Sequence, residues 1–332
     1  MPSEPSSEPA LLAEVRRGGI VESLIRGHMV LTDGTGRAVR SLGDPDTVST
    51  LRSAAKPFQA SSFVETGTAA ALGLGDDSIA IACASHLGEP GHLQAAGRIL
   101  DAAGLDEGAL QCGAHLPGDP AAAAQLLGGG GSATVLHNNC SGKHAAMLAT
   151  CVHQGWPIED YLRSDHPLQR QIARRLAERA GVVADEMPFG VDGCGLPTFG
   201  LPLLSFATAL ARAARSDLAF RSCQSAMAAH PWLVRGTDSF DSALLGAAGS
   251  SFTAKGGAAA IFGAVARKGE WALVIKLESG AATGLPQIAA QALQQLDLLD
   301  AALPASLSRL IDGPLRNWAG TPIGEIQTRF RL

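Results

Sequence analysis

Strand-like apolar runs sit near both ends of the chain, and helical spacing fills the middle. Ile20-Val21-Glu22-Ser23-Leu24 and His28-Met29-Val30-Leu31-Thr32 read as strands, followed by Asp33-Gly34-Thr35-Gly36 and a further strand over Ala38-Val39-Arg40-Ser41-Leu42. Asp-Gly between two such runs is a strong hairpin signal, because glycine accepts the positive φ of a tight turn. From Pro57 to about Arg235 the spacing becomes helical. Alanine-rich segments at Phe58–Thr66, His92–Ala103, Lys143–Gln154, Leu168–Ala180 and Leu203–Ala214 are separated by Gly/Pro loops. Within this region Ser78-Ile79-Ala80-Ile81-Ala82 reads as a short buried strand. A second hairpin runs from Gly257–Val265 through Arg267-Lys268-Gly269 to Trp271–Leu277, and Leu285–Leu299 predicts a last helix. Strands at both ends with helices between predict an α+β fold: one antiparallel sheet assembled from the two chain ends, with a helical region of about 57–235 inserted. No repeat or clear linker divides the chain. Residues 16–332 are expected to form one domain behind a disordered leader of residues 1–15, whose start is acidic and proline-rich.

Composition narrows the function. With 332 residues, 46% of them hydrophobic, the chain can bury a large core. Its 26 Lys+Arg against 31 Asp+Glu give a net charge of -5 without runs of one sign, which disfavours nucleic acid as a partner. The N-terminus lacks the basic-then-apolar order of a secretory signal, and the mildly apolar Ala254–Ala266 is too short and glycine-interrupted to span a membrane. A cytoplasmic location without membrane attachment is the expectation. Six cysteines at irregular spacing do not make a disulfide framework in so long a chain.

Five stretches can carry chemistry. Ser53-Ala54-Ala55-Lys56 entering a helix sets a hydroxyl and an amine one turn apart, the arrangement in which a neutral lysine takes a serine's proton. The plainer alternative is a capping Ser53 with a solvated Lys56. Cys83-Ala84-Ser85-His86 places Ser85 where an element ends and a loop opens; His86, Glu89 and His92 have ligand chemistry, but Gly88, Pro90 and Gly91 keep them off one helical face. Asn139-Cys140-Ser141-Gly142-Lys143-His144 resembles a phosphate loop only at Gly142-Lys143, since His137 and His144 stand where glycine and a hydroxyl are required. Asp192-Gly193-Cys194 is a turn with an acid and a thiol, where a buried cysteine is commonly only a small hydrophobe. Lys255-Gly256-Gly257 opens a strand, where the glycines let a substrate lie close and where a lysine is otherwise a solvated strand-end charge.

These stretches, together with Arg17-Gly18-Gly19-Ile20-Val21-Glu22, occur in one order along nearly the whole chain and resemble the L-asparaginase II family, which includes the inducible rhizobial asparaginase. The resemblance implies a fold similar to serine β-lactamases and penicillin-binding proteins, hydrolysis of L-asparagine to L-aspartate and ammonia, and a homodimer. Position by position it implies two Ser-Lys pairs, Ser53 with Lys56 and Ser85 with Lys255. It implies zinc held by Cys140, Lys143 and Cys194, and substrate contacts from Asp192, with Arg52 and His86 beside the two serines. Leu87 and the stretch Gly236–Asp241 depart from the family pattern and leave the preference for asparagine over glutamine open. Chemistry alone would choose His144 or His137 before a lysine as third zinc ligand. Other Ser-x-x-Lys acyl hydrolases (glutaminase, peptidase or β-lactamase-like) and a catalytically inactive zinc-binding protein are the rival readings.

In the mechanism so implied, Ser53 attacks the side-chain amide carbon, Lys56 takes the serine proton, ammonia leaves, and water hydrolyses the acyl-enzyme. A lysine pKa of about 10.4 lies roughly 3.4 units above neutrality, so the site must supply roughly 4.6 kcal/mol against the ammonium. Burial and a second cation, Lys255, are the expected means.

Overall fold

The computed structural model describes residues 8–332. Its strands are β1 (Ala10–Arg17), β2 (Ile20–Asp33), β3 (Ala38–Leu42), β4 (Val48–Thr50), β5 (Phe189–Val191), β6 (Pro197–Pro202), β7 (Phe252–Gly257), β8 (Ile261–Ala266), β9 (Trp271–Leu277), β10 (Leu315–Arg316) and β11 (Pro322–Thr328). The helices before the second half of the sheet are α1 (Lys56–Glu65), α2 (Thr68–Ala71), α3 (Asp76–Ala82), α4 (Pro90–Ala102), α5 (Pro120–Gly128), α6 (Ser141–Gln154), α7 (Pro167–Ala180), α8 (Leu203–Ser216), α9 (Leu218–Ala229), α10 (Pro231–Val234) and α11 (Phe240–Ala248). After it come α12 (Leu285–Gln295) and α13 (Ala305–Ile311).

The expected α+β arrangement is present. The main sheet runs β10-β11-β1-β2-β9-β8-β7, with β3 also on β2, and its pairs are antiparallel. Its centre joins the two chain ends, since Val30 of β2 faces Val274 of β9. Strand pleat then separates two cores. Ile261, Val265, Ala272 and Val274 point into the helical region with Phe58, Phe206 and Phe220. Their neighbours Phe262, Ala264, Leu273 and Ile275 point the other way, against Ile288 and Leu293 of α12. A three-stranded sheet, β4-β6-β5, stands apart and carries the turn before α1.

Three expectations need correction. The leader of residues 1–15 falls partly on residues 1–7, which lie outside the described residues. Ala10–Arg17 form β1, with Leu12 and Ala13 fully buried. Ser78–Ala82 belong to a helix, not a strand. All five are buried, so the run carries no period that tells the two apart, and Asp76 and Asp77 in the first turn suit the positive end of a helix dipole. The two strands assigned to residues 20–32 are one long strand, β2.

The β7–β8 connection holds two non-glycine residues in left-handed backbone, Ala259 at φ +58° and Ala260 at φ +53°. A methyl group there crowds the following carbonyl, at roughly 1–2 kcal/mol per residue. Ala259→Gly is expected to stabilise the protein by about 1 kcal/mol, after the entropy that glycine adds to the unfolded chain. Denaturant unfolding measures this, and an unchanged or lower midpoint would contradict the strain.

Candidate active site

The Ser53 turn is built from both sides. Leu51 is fully buried and its N–H donates to the Phe199 carbonyl at 2.9 Å, which ends β4 against β6. Arg52 then adopts φ +46°, a conformation a long side chain rarely takes. Its N–H donates to Thr198 Oγ1 at 3.2 Å, and its guanidinium meets Asp192 Oδ1 at 2.8 and 3.0 Å. Residues Arg52–Ala55 form a single tight 3-10 turn, and Pro57 in the first turn of α1 suits its missing N–H and fixed φ. Ser53 is left half-buried, while Lys56 is 1% exposed.

Lys56 does not donate to Ser53. Its Nζ donates to Ser85 Oγ at 2.9 Å and to the Ala84 carbonyl. Burial pushes the amine down to about 8; the cations Lys143 and Lys255 add to that push, and the thiols Cys140 and Cys194 oppose it. The expected pairing of Ser85 with Lys255 is also absent. Lys255 Nζ donates to Asp241 Oδ2 at 2.7 Å and to the Gly256 carbonyl at 2.8 Å. Pairing depends on where three separate segments meet, which a local i,i+3 spacing does not encode.

Ser85 sits on a loop pinned at several points. Its N–H donates to the Val234 carbonyl at 3.0 Å, that of Leu87 to Arg235 at 2.7 Å and that of His86 to Asn139 at 3.1 Å, while Arg235 Nη1 donates to the Ser85 carbonyl at 3.1 Å. His86 is buried with both ring nitrogens occupied. Nδ1 accepts from the Gly88 N–H at 3.1 Å, so the proton lies on Nε2, which is 2.9 Å from Ser141 Oγ. The ring stacks on His92, which stacks on Trp232. Burial first, then neighbouring histidines and Lys56, hold His86 well below the ordinary imidazole range, and hence neutral. A substrate contact from His86, expected from sequence, finds no free nitrogen here. The ligand reading of His86, Glu89 and His92 also fails, because Glu89 is taken up by the Thr237 N–H and hydroxyl at 2.7 and 2.8 Å.

The remaining candidates lie on the start of α6, the β5–β6 turn and β7. Gly142 lies so close to α3 that a Cβ would fall 2.4 Å from the Ile81 carbonyl, and this approach brings the start of α6 beside the Ser85 loop. Cys140, Lys143 and Cys194 are buried together, with Lys143 Nζ donating to Cys194 Sγ at 3.3 Å. Burial disfavours the Lys143 ammonium, but Cys140, Cys194 and Asp192 outweigh it and raise its pKa. Among the described residues no three His, Cys, Asp or Glu side chains are placed to hold a metal, so a site here needs Lys143 as its third donor. Neither histidine alternative joins them: His144 bonds Tyr161 Oη at 2.7 Å, and His137 Nδ1 accepts from the Thr134 N–H at 3.0 Å. Gly257 brings β7 up to the Ser53 turn, since a Cβ there would lie 3.0 Å from the Ala54 nitrogen.

Sequence reasoning missed Asp241, Arg235 and Thr198, which hold Lys255, the Ser85 carbonyl and the Arg52 backbone. Asp241 ends the stretch that departs from the family pattern, and that departure was its one signal.

No curated protein sequence matches the chain. Among solved structures, Mglu is 14% identical, covering 84% of this chain and 69% of Mglu, with a TM-score of 0.38. A β-lactamase, Mb2281c of Mycobacterium bovis, is 14% identical over 81% of this chain and 94% of its own, with a TM-score of 0.39. Among the described residues no helix is long and apolar enough to cross a membrane. Residues 13–328 match the sequence profile of L-asparaginase II, and the chain belongs to that family.

Proposed function

We propose that this protein hydrolyses L-asparagine to L-aspartate and ammonia through a serine acyl-enzyme. The observation that carries the reading is the buried Lys56 amine, bonded to one serine hydroxyl and one turn beyond another. Its shift from 10.5 to about 8 corresponds to roughly 3 kcal/mol against the ammonium, most of what a base at neutral pH requires. Family membership supports an amide as the bond cleaved.

In this reading half-buried Ser53 meets substrate. Its Oγ attacks the side-chain amide carbon, its proton passes to Lys56, and Lys56 protonates the departing ammonia. Ser85, already on the Lys56 amine, relays the proton between the two steps. Arg52 and Asp192 are oppositely charged and beside Ser53, so they suit the α-carboxylate and α-ammonium of a free amino acid. The Lys56–Ser85 bond itself favours a second reading, in which Ser85 is acylated and Ser53 assists.

Two buried soft thiols suit zinc, and the Lys143 amine beside Cys194 would complete the donor set on giving up its proton. Cys140, Cys194 and Lys143 would hold it, and it would supply positive charge beside Asp192. The chemistry above is assigned to Ser53, Lys56 and Ser85 alone.

Ammonia release from L-asparagine is expected to fall at least 1,000-fold in Ser53→Ala, and mass spectrometry of quenched enzyme should find the +115 Da class of aspartyl adduct, about the mass of asparagine less ammonia, on the Ser53 peptide. An adduct on the Ser85 peptide would select the second reading, and no turnover of asparagine by the wild type would end both. Lys56→Arg keeps the charge but cannot give up a proton, so a similar loss is expected; activity within tenfold of wild type would remove Lys56 as base. Elemental analysis of protein purified without chelator is expected to find about one zinc per chain, lost in Cys140→Ser, and a metal-free wild type would refute the zinc site.

A further inference from the structure

Three lysine amines are buried around the candidate site, and Lys255 differs from the other two in having a carboxylate partner. The residue is 2% exposed and its Nζ lies 2.7 Å from Asp241 Oδ2. Asp241 is itself buried, in the first turn of α11. The same Oδ2 accepts the N–H of Gly256 at 3.2 Å. One carboxylate oxygen therefore grips the tip of Lys255 and the backbone of the next residue, and Nζ is further tied to the Gly256 carbonyl at 2.8 Å. The amine has two of its three protons directed by fixed acceptors, and its strand abuts the Ser53 turn at Gly257.

A lysine held in this way is poorly suited to take a proton. General-base work needs the neutral amine, and a buried ionised carboxylate in direct contact stabilises the ammonium. Building on the amidohydrolase reading, we propose that Asp241 is a positioning residue that keeps Lys255 as a fixed ammonium beside the Ser53 turn. Lys255 then supplies positive charge to the reacting carbonyl and accepts no proton from either serine. No bond is made or broken at Lys255 in this role, and the proton traffic stays with Lys56.

The charged and titratable groups facing Lys255 are Asp241 on α11, Arg235 before it, Cys140 at the start of α6 and Lys56 at the start of α1. Burial lowers the Lys255 amine and Asp241 opposes that fall, while Lys255 and Arg235 overcome burial to keep the Asp241 carboxyl below its ordinary range. Removing the carboxylate leaves Arg235 and burial acting together against the ammonium.

Asp241→Asn tests this. Its kcat for ammonia release is expected to fall about 100-fold with KM changed less than threefold, and the remaining activity should decline further above neutral pH as Lys255 loses its proton. Asp241→Glu should recover at least tenfold. Adding Lys255→Arg to Asp241→Asn should abolish the alkaline decline, because a guanidinium keeps its charge without a carboxylate. A kcat within threefold of wild type, or a uniform loss with the wild-type pH profile, would overturn the proposal and leave Asp241 a structural residue. If Asp241→Asn does not fold, the 13Cε shift of Lys255 in the wild type, assigned by its loss in Lys255→Arg, gives the same answer. The signal should remain that of an ammonium through pH 8, and a midpoint below 8 would overturn the proposal. The shift measurement needs no turnover, so inactivity toward asparagine would sink the function reading and leave this one still decided.

Discussion

Burial of amines is the constraint on which the site depends. An ammonium is costly to bury, and each of the three lysines around the Ser53 turn meets that cost differently. Lys56 faces a serine hydroxyl and a carbonyl, neither of them charged, so burial lowers its pKa. Lys143 faces two thiols and lies in the field of Asp192, so its charge is supported. Lys255 faces a carboxylate. The same side chain is a candidate base, a candidate ligand and a candidate fixed charge according to what surrounds its last atom.

The fold brings these environments together from distant parts of the chain. The helical insertion supplies Lys56, the Ser85 loop and the start of α6, whereas β7 belongs to the sheet and brings Lys255. Close backbone approach makes this possible at two glycines. Any side chain at Gly142 would strike the Ile81 carbonyl, and one at Gly257 would press on the Ser53 turn.

Much of this was legible from the residues. The helices over Lys56–Glu65, Pro90–Ala102, Ser141–Gln154, Pro167–Ala180 and Leu203–Ser216 follow apolar spacing and glycine or proline punctuation, both of which are local. Strands β1 and β11 escaped notice because one follows a polar, proline-rich start and the other is only half buried along its length. That Ser53, Lys56, Ser85, Cys140, Lys143 and Cys194 belong to one site was implied by the resemblance to the L-asparaginase II family. Which amine meets which hydroxyl was not, because Lys56 reaches Ser85 across 29 positions and Lys255 reaches Asp241 across 14. Motifs name the participants, and the fold decides the pairs.

Arg52 shows how strain enters the same design. A positive φ at a bulky residue persists only where surroundings over-determine it, and here both ends are tied. The backbone N–H is fixed by Thr198 and the guanidinium by Asp192, at opposite sides of the turn joining β5 to β6. That turn also carries Cys194. A shift of the β5–β6 turn would therefore move the thiol next to Lys143 and the residue that orients Ser53 at once. The ion pair and the thiol–amine contact act on one hairpin, so the geometry at Ser53 cannot relax independently of the buried lysines behind it.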